Sequence, residues 1–313
     1  MRPLAVIVGL YVLLKLGAFA ASLALSPGFV SGGSSAGCIQ GVAVPAAAGG
    51  FGFNCLVFAD GPFLQSEFDT SNTGDPRYKW FGDQAWPNSP SGFGWQTQPT
   101  QVYGTDFSIN GSGYLSVQPH VNPSFGGSTV ISCHPAGSSF HGTTFTGGYY
   151  VKMLGTWGVP PSGNTTWPLF VMLPTEFLTG GTATTFNWAE NDMLEINASG
   201  ISPATDQNYN YWIVTAGNSG GITTGGYQPS LVSGTEYDMA LLPAAVNGGS
   251  AGLKYYQAGV LQASGTEPDS HSDYATLGLS QHMCLGFAGG TGGGLTVQRV
   301  EVWCPSISCM TTQ

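Results

Sequence analysis

The chain has 313 residues, including 48 Gly and 20 Pro, and only 8% are charged. An ordinary soluble domain is about 25% charged and about 7% glycine. Seven Lys and Arg against 17 Asp and Glu exclude a nucleic-acid binder, because so few cations cannot neutralise a phosphate track. Low charge also excludes a heptad coiled coil, and glycines without a three-residue period exclude collagen. A content of 42% hydrophobic and 12% aromatic residues argues against disorder.

The N-terminus opens with Arg2, an apolar run from Leu4 to Leu14, and the small-x-small pattern Ala18-Phe19-Ala20. Residues 1–25 are therefore expected to be a secretory signal peptide, and the protein to be secreted. Lys15 interrupts the apolar stretch. Only if the leader stays uncleaved, with Leu16 to Leu25 added to it, would the chain meet a membrane. Removing the leader leaves five cations against 17 acids, a formal net charge of −12. Such a chain repels anionic membranes and nucleic acid, and disfavours sulfated or uronate polymers.

Residues 26–57 are rich in Gly, Ala, Ser and Pro, and up to Asn54 they carry no charge. They read as a linker or a loosely packed N-terminal segment. The six cysteines, Cys38, Cys55, Cys133, Cys284, Cys304 and Cys309, allow 15 full pairings. One or two structural bridges with some buried thiols are expected, since no CxxC or zinc-finger spacing occurs.

From Phe58 onward, short apolar or alternating runs recur between Gly, Pro, Asn and Ser clusters. Examples are Tyr149 to Met153, Tyr211 to Val214 and Leu253 to Tyr256. The run Leu295 to Trp303 alternates for nine residues, placing Leu295, Val297, Arg299, Glu301 and Trp303 on one side. No helix of three turns is predicted beyond the leader. The pattern predicts an all-β fold, a β-sandwich jelly roll over residues 58–303, followed by a C-terminal tail, 304–313.

Acids are scarce, so Glu190-Asn191-Asp192-Met193-Leu194-Glu195 stands out. Three specified acidic positions arise by chance roughly 0.05 times in such a chain. On a strand, Glu190 and Asp192 share a face, whereas Glu195 falls on the other. One extra residue, Met193 or Leu194, forming a β-bulge would bring all three acids to one face. Paired carboxylates about 5–5.5 Å apart perform retaining glycoside hydrolysis. In that chemistry Glu190 would be the nucleophile and Glu195 the acid/base. Asp192 would hydrogen-bond Glu190 and raise the pKa of Glu195. The acids alone fit a solvated acidic strand or a cation site equally well.

The flanking residues add to this. Trp167-Pro168-Leu169-Phe170-Val171-Met172-Leu173-Pro174, followed by Glu190-x-Asp192-x-x-Glu195, resembles glycoside hydrolase family 16, in its bulged, laminarinase-like branch. Ser66 to Asp69 with Lys79-Trp80, Gly147 to Met153, Tyr255 to Val260 and Val297 to Trp303 resemble further strands of that family, in order. The resemblance implies a concanavalin A-like jelly roll with a concave substrate-binding face. It implies a polysaccharide substrate, with Glu190, Asp192 and Glu195 as catalytic residues. Departures are Val171 where a second Trp is common, Leu242-Pro243 where Trp-Thr-Pro is common, and Gln257 at the hairpin Asp. Gln298 stands where an Asp often binds calcium, so neither a metal nor any other cofactor is expected.

Trp167, Trp188, Tyr211 and Trp212 are the candidates for stacking on sugar rings, against the commoner fate of aromatics as core. Two Gly-x-Ser-x-Gly stretches lack the helix that a nucleophile elbow requires. The histidines show no metal spacing. The sequence thus points to a monomeric, secreted glycosidase that cleaves within a neutral β-1,3- or mixed-linked glucan. A non-catalytic carbohydrate-binding protein and a glucan transglycosylase remain as alternatives.

Overall fold

The computed structural model describes residues 37–71, 73–82, 101–119, 128–136, 139–158, 169–175, 188–196, 207–214, 222–223, 233–262, 276, 278–289 and 293–313. At 135, 169, 188–190, 192, 195–196, 207–214 and 222–223 only the backbone is described. Among the described residues, no helix is long and apolar enough to cross a membrane.

A short helix, α1 (Ala46–Gly50), leads into strand β1 (Cys55–Asp60). Four small strands follow: β2 (Phe68–Asp69), β3 (Trp80–Phe81), β4 (Phe107–Ile109) and β5 (Leu115–Val117). Next come β6 (Thr129–Ile131), β7 (Cys133–Ala136), β8 (Ser139–Phe145) and β9 (Tyr149–Trp157). The middle of the chain forms β10 (Leu169–Pro174), β11 (Trp188–Ile196), β12 (Gln207–Val214) and β13 (Ile222–Thr223). The hairpin strands β14 (Glu236–Leu242), β15 (Gly252–Gln257) and β16 (Val260–Leu261) come next. The last are β17 (Met283–Ala288), β18 (Leu295–Cys304) and β19 (Met310–Thr312).

These strands form the two curled sheets of an all-β jelly-roll sandwich, as expected. One sheet runs β16-β15-β14-β9-β18-β5-β4, with β1 also paired to β18. The other runs β13-β12-β11-β10-β17-β6-β3-β2, with β8 beside β17, and β7 and β19 beside β8. Alternation along the strands buries one row from each sheet in a common core. Val151, Met153, Leu241, Leu253 and Val302 come from the first, and Phe170, Met172, Met193, Leu285 and Phe287 from the second. Burying each such side chain contributes about 1.5–3 kcal/mol.

The β18 register corrects the simple alternation. Val297 pairs with Gly155 and Arg299 with Leu154, so Gln298 is an extra residue. The bulge moves Val300, Val302 and Cys304 onto the core side with Leu295 and Val297, and leaves Arg299, Glu301 and Trp303 off it.

The segment expected to be a linker is tied down from residue 38. Ile39 bridges to Leu56, Cys38 is bonded to Cys55, and Ala48 and Phe53 are fully buried. They form a second small core with Tyr150, Tyr256 and Trp303 on the outer side of the first sheet. The stretch is small-residue-rich because it packs closely over large aromatics. The tail is ordered too: Cys304 bonds to Cys309, and β19 pairs with β8. The third bond, Cys133–Cys284, joins β7 to β17 across 151 residues. All six cysteines are therefore paired, against the expectation of buried thiols. The hairpin turn between β15 and β16 falls on Ala258 and Gly259, both at positive φ, so Ala258 rather than Gln257 holds its first central position.

Candidate active site

Strand β11 carries the acid motif and lies between β10 and β12. Asp192 pairs with Val171 and Leu194 with Phe170, so two steps on β11 match one step on β10. Against β12, Asp192 pairs with Asn210 and Glu195 with Asn208, three steps matching two. Both ladders place one extra residue at the same point, and the β10 pairing assigns it to Met193. Met193 and Leu194, though adjacent, are both fully buried in the core, as a bulge requires. Asn191 is also fully buried. The strand face that Asn191, Met193 and Leu194 leave therefore holds positions 190, 192 and 195. For Glu190, Asp192 and Glu195, carboxyl positions lie outside what the structure describes.

The same ladder sorts the aromatic candidates. Trp212 pairs with Glu190 and so takes a position on the acid face. Trp188, two residues before Glu190, shares that face by parity. Tyr211 pairs with Asn191 and so takes a core-side position, which separates it from the acids. Trp167 lies outside the described residues. Sequence reasoning missed Asn208 and Asn210, which pair with Glu195 and Asp192. Their signal was the alternation Asn208, Asn210, Trp212, legible once Trp212 is set opposite Glu190.

Beyond Asp192 the acid-face row continues through Val171, Gly286, Ile131 and Phe81, each paired with the next. Val171, Ile131 and Phe81 are all buried. The β7–β8 hairpin closes over this end of the row. His134 on β7 stacks on Phe81 with centroids 5.5 Å apart, and Cys133 is bonded to Cys284 two residues before Gly286. Gly142 on β8 fits against the same ring: a Cβ there would lie 2.7 Å from Phe81 and 2.4 Å from the Ser132 carbonyl.

Charges elsewhere are largely matched. Arg77 pairs with Asp75 at 2.6 Å and Lys79 with Glu67 at 2.5 Å. Lys152 pairs with Glu236 at 3.0 Å, and Arg299 with Glu301 at 3.0 Å. Burial pushes Asp60 up to about 6, opposed by Lys79 and by the Trp80 indole, which donates at 2.5 Å. Burial likewise pushes Asp238 up to about 7, opposed by the Tyr150 hydroxyl. Asp60 and Asp238 sit on the other sheet, not beside the acid motif. Among the described residues, no group of three or more His, Cys, Asp or Glu is placed to hold a metal ion.

Among solved structures, the chain is similar to a laminarinase from Flavobacterium sp. UMI-01, at 14% identity over 79% of this chain and 99% of that one, with a TM-score of 0.45. It is similar to an endo-β-1,3-glucanase from Pyrococcus furiosus, at 15% identity over 80% and 94%, with a TM-score of 0.46. An endo-1,3-β-glucanase from Streptomyces sioyaensis gives 16% identity over 82% and 96%, with a TM-score of 0.45. No protein-family model matches the chain, and no curated protein matches it.

Proposed function

We propose that the protein is a secreted, retaining endo-glycosidase acting on a neutral β-1,3- or mixed-linked glucan. The observation that carries this reading is the register slip at Met193, which gives Glu190, Asp192 and Glu195 positions on one strand face. Glu190, as carboxylate, attacks the anomeric carbon. Glu195 gives its proton to the departing glycosidic oxygen. Glu195 then takes a proton from water, which attacks the same carbon, releases Glu190 and restores the original configuration. Asp192 sits between them and favours the protonated form of Glu195 by like charge. Trp188, two positions before Glu190, and Trp212, the cross-strand partner of Glu190, are the candidates to stack on the sugar. Three disulfides support export to an oxidising compartment.

The test is reducing-end release from laminarin, lichenan, agarose, carrageenan and xyloglucan. Glu190→Gln and Glu195→Gln should each abolish release from laminarin or lichenan while the thermal transition is kept. Full activity in either variant removes the assignment.

One observation favours a second reading, a carbohydrate-binding protein without catalysis. Val171 is the direct partner of Asp192, so the residue beside the acids offers no aromatic platform. Saturable binding of laminarin with no reducing ends formed across the panel would select it.

A further inference from the structure

We infer that Asn191 and Tyr255 form a positioning pair, linking the two sheets directly behind the acid motif. This rests on the reading of Glu190 and Glu195 as the reacting carboxylates. Asn191 lies between Glu190 and Asp192 in sequence but on the core side of β11. Its core-side neighbours on β11, Met193 and Leu194, and its β10 partner Met172, are apolar and fully buried. An amide in that setting carries a desolvation cost that a Leu or Ile would avoid. Among the described residues its Nδ2 has no hydrogen-bond partner. Its Oδ1 accepts a hydrogen bond of 3.1 Å from the Tyr255 hydroxyl. Tyr255 is on β15, in the opposite sheet, and is 1% exposed. The bond therefore crosses the whole sandwich.

A bulged strand has a broken ladder at the bulge and is freer to shift there. Asn191 is two residues before the extra residue, on the side of Glu190. The cross-sheet bond fixes the depth of the backbone at that point, and with it the separation between the Glu190 and Glu195 positions. A retaining reaction depends on that separation, and a misplacement of about 1 Å costs on the order of 10²-fold in rate.

The test compares Tyr255→Phe, Asn191→Leu and the double variant with wild type. Tyr149→Phe serves as control, since it removes a buried hydroxyl that has no partner among the described residues. On laminarin, both single variants should lose about 10- to 100-fold in kcat with KM within about two-fold. The double variant should be no worse than the weaker single one, because both remove the same bond. The 13C-carboxyl titrations of Glu190 and Glu195 should move in both single variants and stay put in Tyr149→Phe. Wild-type kcat in either folded variant, or superimposable titrations, overturns the inference. A wild type that hydrolyses nothing defeats the proposed function instead, while the titrations still decide the positioning role. Should Tyr255→Phe not fold, Asn191→Leu carries the test alone.

Discussion

The Tyr150 hydroxyl donates a 2.7 Å hydrogen bond to Oδ2 of Asp238, and both residues are almost wholly buried on the outer side of the first sheet. The Tyr150 hydroxyl, the Gly259 N–H and the Lys152 charge together do not replace the water that Asp238 has lost, and Glu236 adds like-charge repulsion. The folded protein therefore holds the Asp238 proton up to about 7, against 3.8 for an ordinary aspartate. Between those values the folded state binds more protons than the unfolded chain, so stability falls as pH rises from about 4 to about 7. The difference is at most about 4 kcal/mol for this group. Asp60, held up to about 6, acts in the same direction over a narrower window. Melting temperatures measured from pH 4 to pH 8 should decline by several degrees. Asp238→Asn should flatten that decline and raise the melting temperature at pH 8. Parallel slopes in the two proteins would count against burial as the cause.

Gly142 has φ +96° and its Cβ position is already filled by Ser132 and Phe81. Gly142→Ala combines a disfavoured backbone with two close contacts. It should destabilise by about 2 kcal/mol or more, seen as a lower denaturation midpoint with an unchanged denaturant slope. A neutral result would mean that the β7–β8 hairpin is not packed on Phe81.

Ala258 is the single non-glycine residue with positive φ among the described residues, at 51°. Asn tolerates that region better and precedes Gly259 in the favoured hairpin-turn pairing. Ala258→Asn should stabilise by about 0.5–1 kcal/mol. A calorimetric scan showing no rise in melting temperature would refute this.

Deleting Met193 removes the extra residue of β11. With it gone, Asp192, Leu194 and Glu195 pair step for step with Val171, Phe170 and Leu169, and plain alternation keeps Glu195 on the acid face. Glucan hydrolysis should therefore survive the deletion, whereas an alanine inserted between Asp192 and Met193 should turn Glu195 to the core side or break its pairing and abolish hydrolysis. Hydrolysis by the insertion variant, or none by a folded deletion variant, would count against the bulge as the device that aligns the acids.

The two bulges differ in how far residue types reveal them. On β11 the acids are scarce and chemically alike, so an odd spacing between Glu190 and Glu195 demands an insertion. On β18 the alternation runs unbroken through Leu295, Val297, Arg299, Glu301 and Trp303, and nothing in those residue types marks Gln298 as extra. The small outer core was hidden for another reason. Ala48 and Phe53 meet Tyr150 and Trp303 through close packing, which needs small residues and leaves no periodic signature. Cysteine pairing follows the sheet, as Cys133 and Cys284 show. The depth of Asn191 was equally hidden, since its partner Tyr255 is 64 residues away on the other sheet.

Strands β1 and β18 pair so that Cys55 lies directly opposite Cys304. The chain therefore comes into the sandwich and goes out of it at the same corner. A short tether across that corner, with the backbone reopened at the exposed tip near Gly248 and Gly249, would give a circularly permuted sandwich that keeps the β1–β18 ladder and gives up the Ile39–Leu56 bridge and the β19–β8 pairing. The same geometry suits the sandwich for insertion as a cassette into a surface loop of another protein.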